Sequence, residues 1–197
     1  MPQVAFSDLR GWLEFLEQRG QLARVTSSVH WSEELGAVVR RAYDVYGEAS
    51  PAMLFENIVD YQPPRPNKLF VGQFRSYSRI AMSMGLPATG ISVRDIVNRV
   101  RQCLKAPIPF STVESGTAQE NVVLAEEANI FDFPIPLWHH RDGGRYLGTM
   151  HVVITRDYDS DWVNVGLYRI MALEPNEATI YMSPGRQHIG QQYYKYV

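Results

Sequence analysis

Two prolines, Pro107 and Pro109, divide this 197-residue chain into two kinds of text. Proline lacks a backbone N–H and pushes the residue before it out of the helical region, so Lys105 to Phe110 cannot carry a helix onward. Upstream, apolar residues recur mostly at helical spacing; downstream, β-branched runs and turn residues dominate. This predicts an α+β fold with one domain over 1–106 and a second, β-rich domain over 107–197.

The upstream elements follow from spacing. Leu9, Trp12, Leu13 and Leu16 share one helix face, with Ser7 as the expected cap and Gly20 as the stop. Leu22 to Val25 is a short extended stretch. Ser32 then precedes Glu33 and Glu34, acids that suit a helix start, and Leu35, Val38, Val39 and Ala42 form the apolar stripe. Arg40 and Arg41 near its end read as solvated surface. Ala52–Phe55 and Leu69–Val71 read as strands on either side of YQPPRPN, a stiff connection. Ser92 and Asp95 form a capping box before Ile96, Val97, Val100 and Leu104. Downstream, strands are expected over 146–155, 162–171 and 179–183, the first two joined by RDYDSD.

Composition removes several function classes. A 45% hydrophobic, 20% charged chain has the material for a packed core. Nineteen Lys+Arg against 21 Asp+Glu leave a net charge of -2, which gives no overall cationic field for nucleic acid or an anionic membrane. Neither a membrane-length apolar run nor a secretory h-region occurs, so a cytoplasmic protein is expected. The single cysteine, Cys103, excludes an internal disulfide and reads as a buried thiol of a helix rather than a nucleophile.

No metalloprotease helix, P-loop, dinucleotide fingerprint or nucleophile elbow is present. His139 and His140 are adjacent, so a regular strand would point them to opposite faces and they make no matched ligand pair. Asn164 and Arg169 are the unexplained polar groups of an apolar run, where an unpaired amide or guanidinium is costly. They serve either a structural hydrogen-bond network or a cleft for a charged ligand. Their separation of five puts them on opposite faces of an ideal strand, so one shared site requires a bulge or bend. In SPGRQHIGQ, Gln187 could hold phosphate or a cofactor edge and His188 could ligate a divalent metal.

The chain resembles the UbiD family of reversible aromatic and α,β-unsaturated acid decarboxylases. FSDLRGWLEFLEQRGQLARV, PAMLFENI at 51–58, GTMHVVITRD at 148–157, NVGLYR at 164–169 and RQHIG at 186–190 carry the resemblance through their order and spacing. It implies a small α/β N-terminal domain followed by the beginning of a split β-barrel flavin-binding domain. It also implies that the chain is an N-terminal fragment, with a third metal ligand and the catalytic glutamates on a missing C-terminal portion.

The cofactors implied are prenylated FMN and a divalent metal, with manganese the expected ion, and potassium nearby. By the resemblance, Asn164 and His188 ligate the metal and Arg169 is the catalytic arginine that orients the carboxylate. Gln187 lies beside the cofactor, and the stretch Trp162, Asn164, Val165, Gly166, Leu167, Tyr168 helps bind the flavin. The implied partners are a small unsaturated or aromatic carboxylic acid and a prenyltransferase that supplies the modified flavin, with the complete enzyme a homo-oligomer. The implied reaction is non-oxidative: the modified flavin holds electron density as carbon dioxide leaves. Two other readings stay open, a noncatalytic cofactor-binding or assembly subunit and a flavin reductase on a split barrel.

Overall fold

Asp8, rather than the expected Ser7, opens the first helix, because its Oδ1 accepts from the Gly11 backbone amide at 2.8 Å. In the computed structural model, which describes residues 4–183, 185 and 188–197, helix α1 then runs Leu9–Glu17. Gly20 follows at φ +63°, a left-handed conformation that costs glycine little. The chain forms two units. One comprises the residues up to Val29, Val38–Ile58 and Asn67–Val122; the other comprises His30–Ala37, Val59–Pro66 and Val123–Val197.

The first unit is built on a three-stranded sheet in the order β1 (Leu22–Val25), β2 (Ala52–Phe55), β3 (Leu69–Val71). β1 runs parallel to β2, and β3 antiparallel. A parallel pair needs a long crossover, and helix α2 (Glu34–Tyr46) lies in that connection. All four residues of β2 are buried, as its unbroken apolar run predicts. Trp12 and Leu16 of α1 meet Ala52 of β2 and Met82, with Phe6, Phe15, Leu22 and Phe70 packed around them. Met82 comes from helix α3 (Tyr77–Ser83), which the sequence did not announce; Ser76 Oγ caps it by accepting from the Arg79 amide at 3.2 Å.

Helix α4 (Val93–Lys105) carries the predicted capping box, with Ser92 N donating to Asp95 Oδ2 at 2.8 Å and Asp95 N to Ser92 Oγ at 3.3 Å. Its burial is a surprise. Ile96 is covered, whereas Val97, Val100 and Leu104 are exposed. Cys103 is exposed as well, which corrects the expectation of a buried thiol: the helix is covered at Ile96, but every residue from Val100 to Lys105 is exposed.

In the second unit each long β run is broken in two. The stretch expected as one strand over 146–155 gives β4 (Tyr146–Gly148) and β5 (Val152–Arg156), and that over 162–171 gives β6 (Val163–Leu167) and β7 (Ile170–Glu174). The hairpin around RDYDSD forms as predicted, pairing β5 with β6 from Arg156↔Val163 to Val152↔Leu167. Beyond the breaks, β4 pairs with β7, and β7 pairs with β8 (Glu177–Ile180), in a separate sheet of order β4-β7-β8. The last strand therefore ends at Ile180, short of the expected Ser183. Helix α5 (Ile189–Tyr196) closes the described chain and was not foreseen. The mixed α/β architecture, a helical and β amino-terminal part followed by an incomplete β-sheet region, is that of an opening split barrel.

Candidate functional site

The breaks in the two β runs face each other, and a glycine stands next to each. A Cβ on Gly166 would lie 2.5 Å from Tyr168 Cε2, and one on Gly148 would overlap the His151 ring. A side chain folds back onto each strand at these points, and any residue larger than glycine would have to displace it. Tyr168 and Arg169 thus fall between β6 and β7, outside any strand. The parity that set Asn164 and Arg169 on opposite faces ends at Leu167, and the required bend is present.

On the inner face of the β5–β6 hairpin, Asn164 stands opposite Thr155 and is 5% exposed. Its Nδ2 donates to Thr155 Oγ1 at 3.3 Å and to Tyr168 Oη at 3.1 Å. Thr155 Oγ1 donates to Gln192 Oε1, and Gln192 Nε2 donates to the Trp162 carbonyl at 3.4 Å. Tyr168 Oη also accepts from the Ile189 amide at 3.4 Å. These bonds satisfy polar groups that would otherwise be stranded in a buried position.

Helix α5 is held at three levels. Ile189 N is tied to Tyr168, Gln192 sits within the network, and Lys195 Nζ donates to Asp157 Oδ2 at 2.8 Å and to Asp159 Oδ1 at 2.6 Å. The bond from Lys195, followed by that from Ser160, holds the Asp157 carboxyl down to about 2. The bonds to Asp157 and then to Asp159 raise the Lys195 ammonium. Tyr196 Oη donates to the Arg156 carbonyl at 3.2 Å. His188, just before α5, has φ +50°, a conformation uncommon for a residue with a Cβ.

A cleft of about 650 Å³ opens beside this network, lined by 165–169, 181–183 and His188. Arg169 projects into it with its guanidinium 4.3 Å from the centre of the Tyr181 ring. Among the described residues no carboxylate pairs with Arg169, so its planar fork of donors faces the cleft unneutralised.

The structure gathers Val165, Gly166, Leu167, Tyr168, Arg169 and His188 around one cleft. Asn164 lies behind it, joined to the cleft wall through Tyr168. Trp162 does not line the cleft; its carbonyl anchors Gln192 and accepts from the Asp157 amide at 2.9 Å. Gln187 lies outside the described residues. His139 sits in a surface turn, its amide donating to Asp142 Oδ2 at 3.1 Å, and His140 is exposed. Sequence reasoning missed Thr155, Gln192 and the Asp157–Lys195 tie. Only the polarity of Thr155 within an apolar run hinted at one of them.

Asn164 and His188 carry the oxygen and nitrogen donor types that suit a divalent cation. With both Nδ2 hydrogens engaged, Asn164 Oδ1 accepts no hydrogen bond among the described residues and remains a free oxygen donor, and His188 offers imidazole nitrogen at the rim. No group of three or more His, Cys, Asp or Glu able to hold a metal occurs among the described residues, so a complete shell needs further donors.

Two family models match the chain. Residues 13–100 match the 3-octaprenyl-4-hydroxybenzoate carboxy-lyase N-terminal domain, and residues 111–197 match the Rift-related domain of the same carboxy-lyase, UbiD. The pyrrole-2-carboxylic acid decarboxylase of Pseudomonas aeruginosa is 36% identical over 93% of this chain and 37% of its own length. The phenolic acid decarboxylase of Bacillus subtilis is 32% identical over 85% of this chain and 35% of its own. Among solved structures, the closed form of Sedimentibacter hydroxybenzoicus vanillic acid decarboxylase superposes with a TM-score of 0.83 at 30% identity, covering 98% of this chain and 40% of that one. The UbiD-class enzyme HmfF of Pelotomaculum thermopropionicum, in complex with prFMN, gives 0.79 at 26% identity over 95% of this chain and 40% of its own. The chain therefore spans little more than a third of the length of these relatives.

Proposed function

The chain belongs to the UbiD family of carboxy-lyases, and from that premise we propose that it forms the cofactor-binding part of a non-oxidative, reversible decarboxylase of aromatic, heteroaromatic or α,β-unsaturated acids. The observation that carries this reading is the cleft in which Arg169, with no carboxylate partner among the described residues, and His188 meet the 165–168 backbone. Asn164 and His188 would hold a divalent metal, manganese in the first instance with potassium nearby, against the phosphate of prenylated FMN. That cofactor, when bound, supplies an electron sink for the pair released as carbon dioxide departs.

The rest is the work of the chain's own groups. Arg169 offers two parallel N–H donors to a carboxylate and fixes its orientation by charge-assisted bonds. Tyr181 restrains the guanidinium from one side. Among the described residues the cleft's lining holds no carboxyl group, so the proton that replaces carbon dioxide and the remaining metal ligands would come from elsewhere in the enzyme. The same reading includes a prenyltransferase as supplier of the flavin, a homo-oligomeric enzyme, and a domain division at 106/107, supported by the interval between the two family models.

Full-length protein reconstituted with prenylated FMN and given a panel of such acids should release carbon dioxide, or exchange labelled bicarbonate into the carboxylate, without net redox change. Arg169→Lys in the same protein keeps the charge but loses the planar fork, and turnover should fall on the order of 100-fold with flavin content retained. Absence of both release and exchange across the panel overturns the reading. NAD(P)H oxidation in their place would mark a flavin reductase.

A further inference from the structure

The amide of Asn164 can face two ways, and only one leaves an oxygen free for a cation. The network decides which. The Trp162 carbonyl can only accept, so the Gln192 group facing it is Nε2, and Gln192 Oε1 is turned to Thr155. An oxygen that can only accept obliges Thr155 to donate its single hydroxyl proton there. Thr155 Oγ1 is then left as an acceptor, so the Asn164 atom facing it is Nδ2, and Oδ1 is turned away. Hydrogen-bond polarity thus passes from one backbone carbonyl through two side chains to the amide. Tyr168 adds the second constraint, because its Oη accepts from Asn164 Nδ2 and from the amide of Ile189, the residue next to His188.

We infer that Thr155, Gln192 and Tyr168 are positioning residues: together they fix Asn164 Oδ1 as a free donor, and Tyr168, through the Ile189 amide, registers His188 with it. The inference rests on the metal-site reading of Asn164 and His188 above. No member of this set touches the cation; each acts through Asn164 or the start of α5. Gln192 and Asn164 are almost wholly buried, so water does not readily substitute for a deleted partner.

The test is Mn2+ binding to the full-length protein in the presence of FMN, followed by the free-Mn2+ electron paramagnetic resonance signal. Asn164→Ala and His188→Ala test the reading itself, and each should weaken Mn2+ binding. Thr155→Val and Tyr168→Phe, near-isosteric changes, should each weaken it on the order of 10-fold. In the Asn164→Ala background, Thr155→Val should then have a much smaller effect, because its main route is through that amide. Hydrogen exchange at the Ile189 amide should quicken in Tyr168→Phe and stay unchanged in Thr155→Val. Unchanged Mn2+ affinity in Thr155→Val and Tyr168→Phe, with Asn164→Ala impaired, overturns the inference and leaves the reading standing. Full additivity of Thr155→Val with Asn164→Ala overturns it too, by showing a general structural effect. Unchanged affinity in both Asn164→Ala and His188→Ala overturns the reading together with the inference.

Discussion

Strands β2 and β6 are both short and mainly apolar, yet they use that character in opposite ways. β2 buries Ala52, Met53, Leu54 and Phe55 on both faces, within a core that also takes Trp12 and Leu16. β6 turns Asn164 and Gly166 inward and carries Val165 and Leu167 on its outer face, 63% and 54% exposed. Val152 and Ile154 of β5 lie opposite Leu167 and Val165 and are exposed as well, so the hairpin's outer face is an apolar surface while its inner face is a hydrogen-bond network. Apolar content alone therefore does not locate a core. In the first unit it removes side chains from water; in the second it flanks a cleft, and polar bonds hold the strands to α5.

The contrast extends to buried polar groups. Arg79 in the first unit is wholly buried, and although Nη1 donates to Gln21 Oε1 at 3.1 Å, Nε and Nη2 have no partner among the described residues. Burial pulls its guanidinium below the usual arginine value. The chain of bonds around Asn164 instead accounts for each donor on the two amides' facing sides. One arrangement tolerates a buried cation inside a packed core; the other organises polar atoms around a cleft.

The largest expected effect is at the centre of the first unit. Phe55→Ala removes a side chain with no exposed surface and should cost about 3–5 kcal/mol in chemical denaturation. A loss under about 1 kcal/mol would mean that β2 is not the core element described. Next comes Gly166→Ala, where a Cβ 2.5 Å from the Tyr168 ring forces that ring off its perch. About 1–3 kcal/mol of stability should go with it, together with weakened FMN retention. Retained FMN affinity despite such destabilisation would detach the bend from the cleft.

A third experiment addresses the tie that seats α5. Because the folded Asp157 carboxyl is depressed to about 2, against about 3.9 for a free aspartate, its contribution is present above the ordinary value. It is lost as pH falls through the window between them. Lys195→Met should bring the Asp157 midpoint, read by carbon NMR titration, up towards the ordinary range. An unmoved midpoint would assign the depression to Ser160 rather than to Lys195. The smallest effect belongs to the outer face of β6. Val165→Ala should stay within about 0.5 kcal/mol in this chain, and a core-sized loss would erase the contrast with β2.

Strands β1, β2 and β3, helices α1, α2 and α4, the switch of pattern near Pro107, the RDYDSD hairpin and the family were all legible in the order of residues. Each rests on a signal local in the chain: apolar spacing, a Ser92–Asp95 capping box, a proline, or an ordered set of motifs. Helices α3 and α5 escaped because elements of seven and eight residues carry little periodicity and are stabilised mostly by what they touch. The exposure of Cys103 escaped for a related reason, since an apolar stripe shows that a face can be buried and not that it is.

The arrangement of the site came from contacts between residues far apart in the chain. Gly148 and Gly166 are ordinary strand residues on paper, and only the fold lays the His151 and Tyr168 rings close against them beside the breaks. The partners of Asn164 lie 9 residues before it and 4 after it, and Gln192, which orients Thr155, lies 28 after it, so the direction of one amide is settled by a hydrogen-bond polarity that no linear pattern records. Residue type stated that Asn164, Arg169 and His188 need partners; the fold chose a phenol, an aromatic face and the start of a helix to hold them.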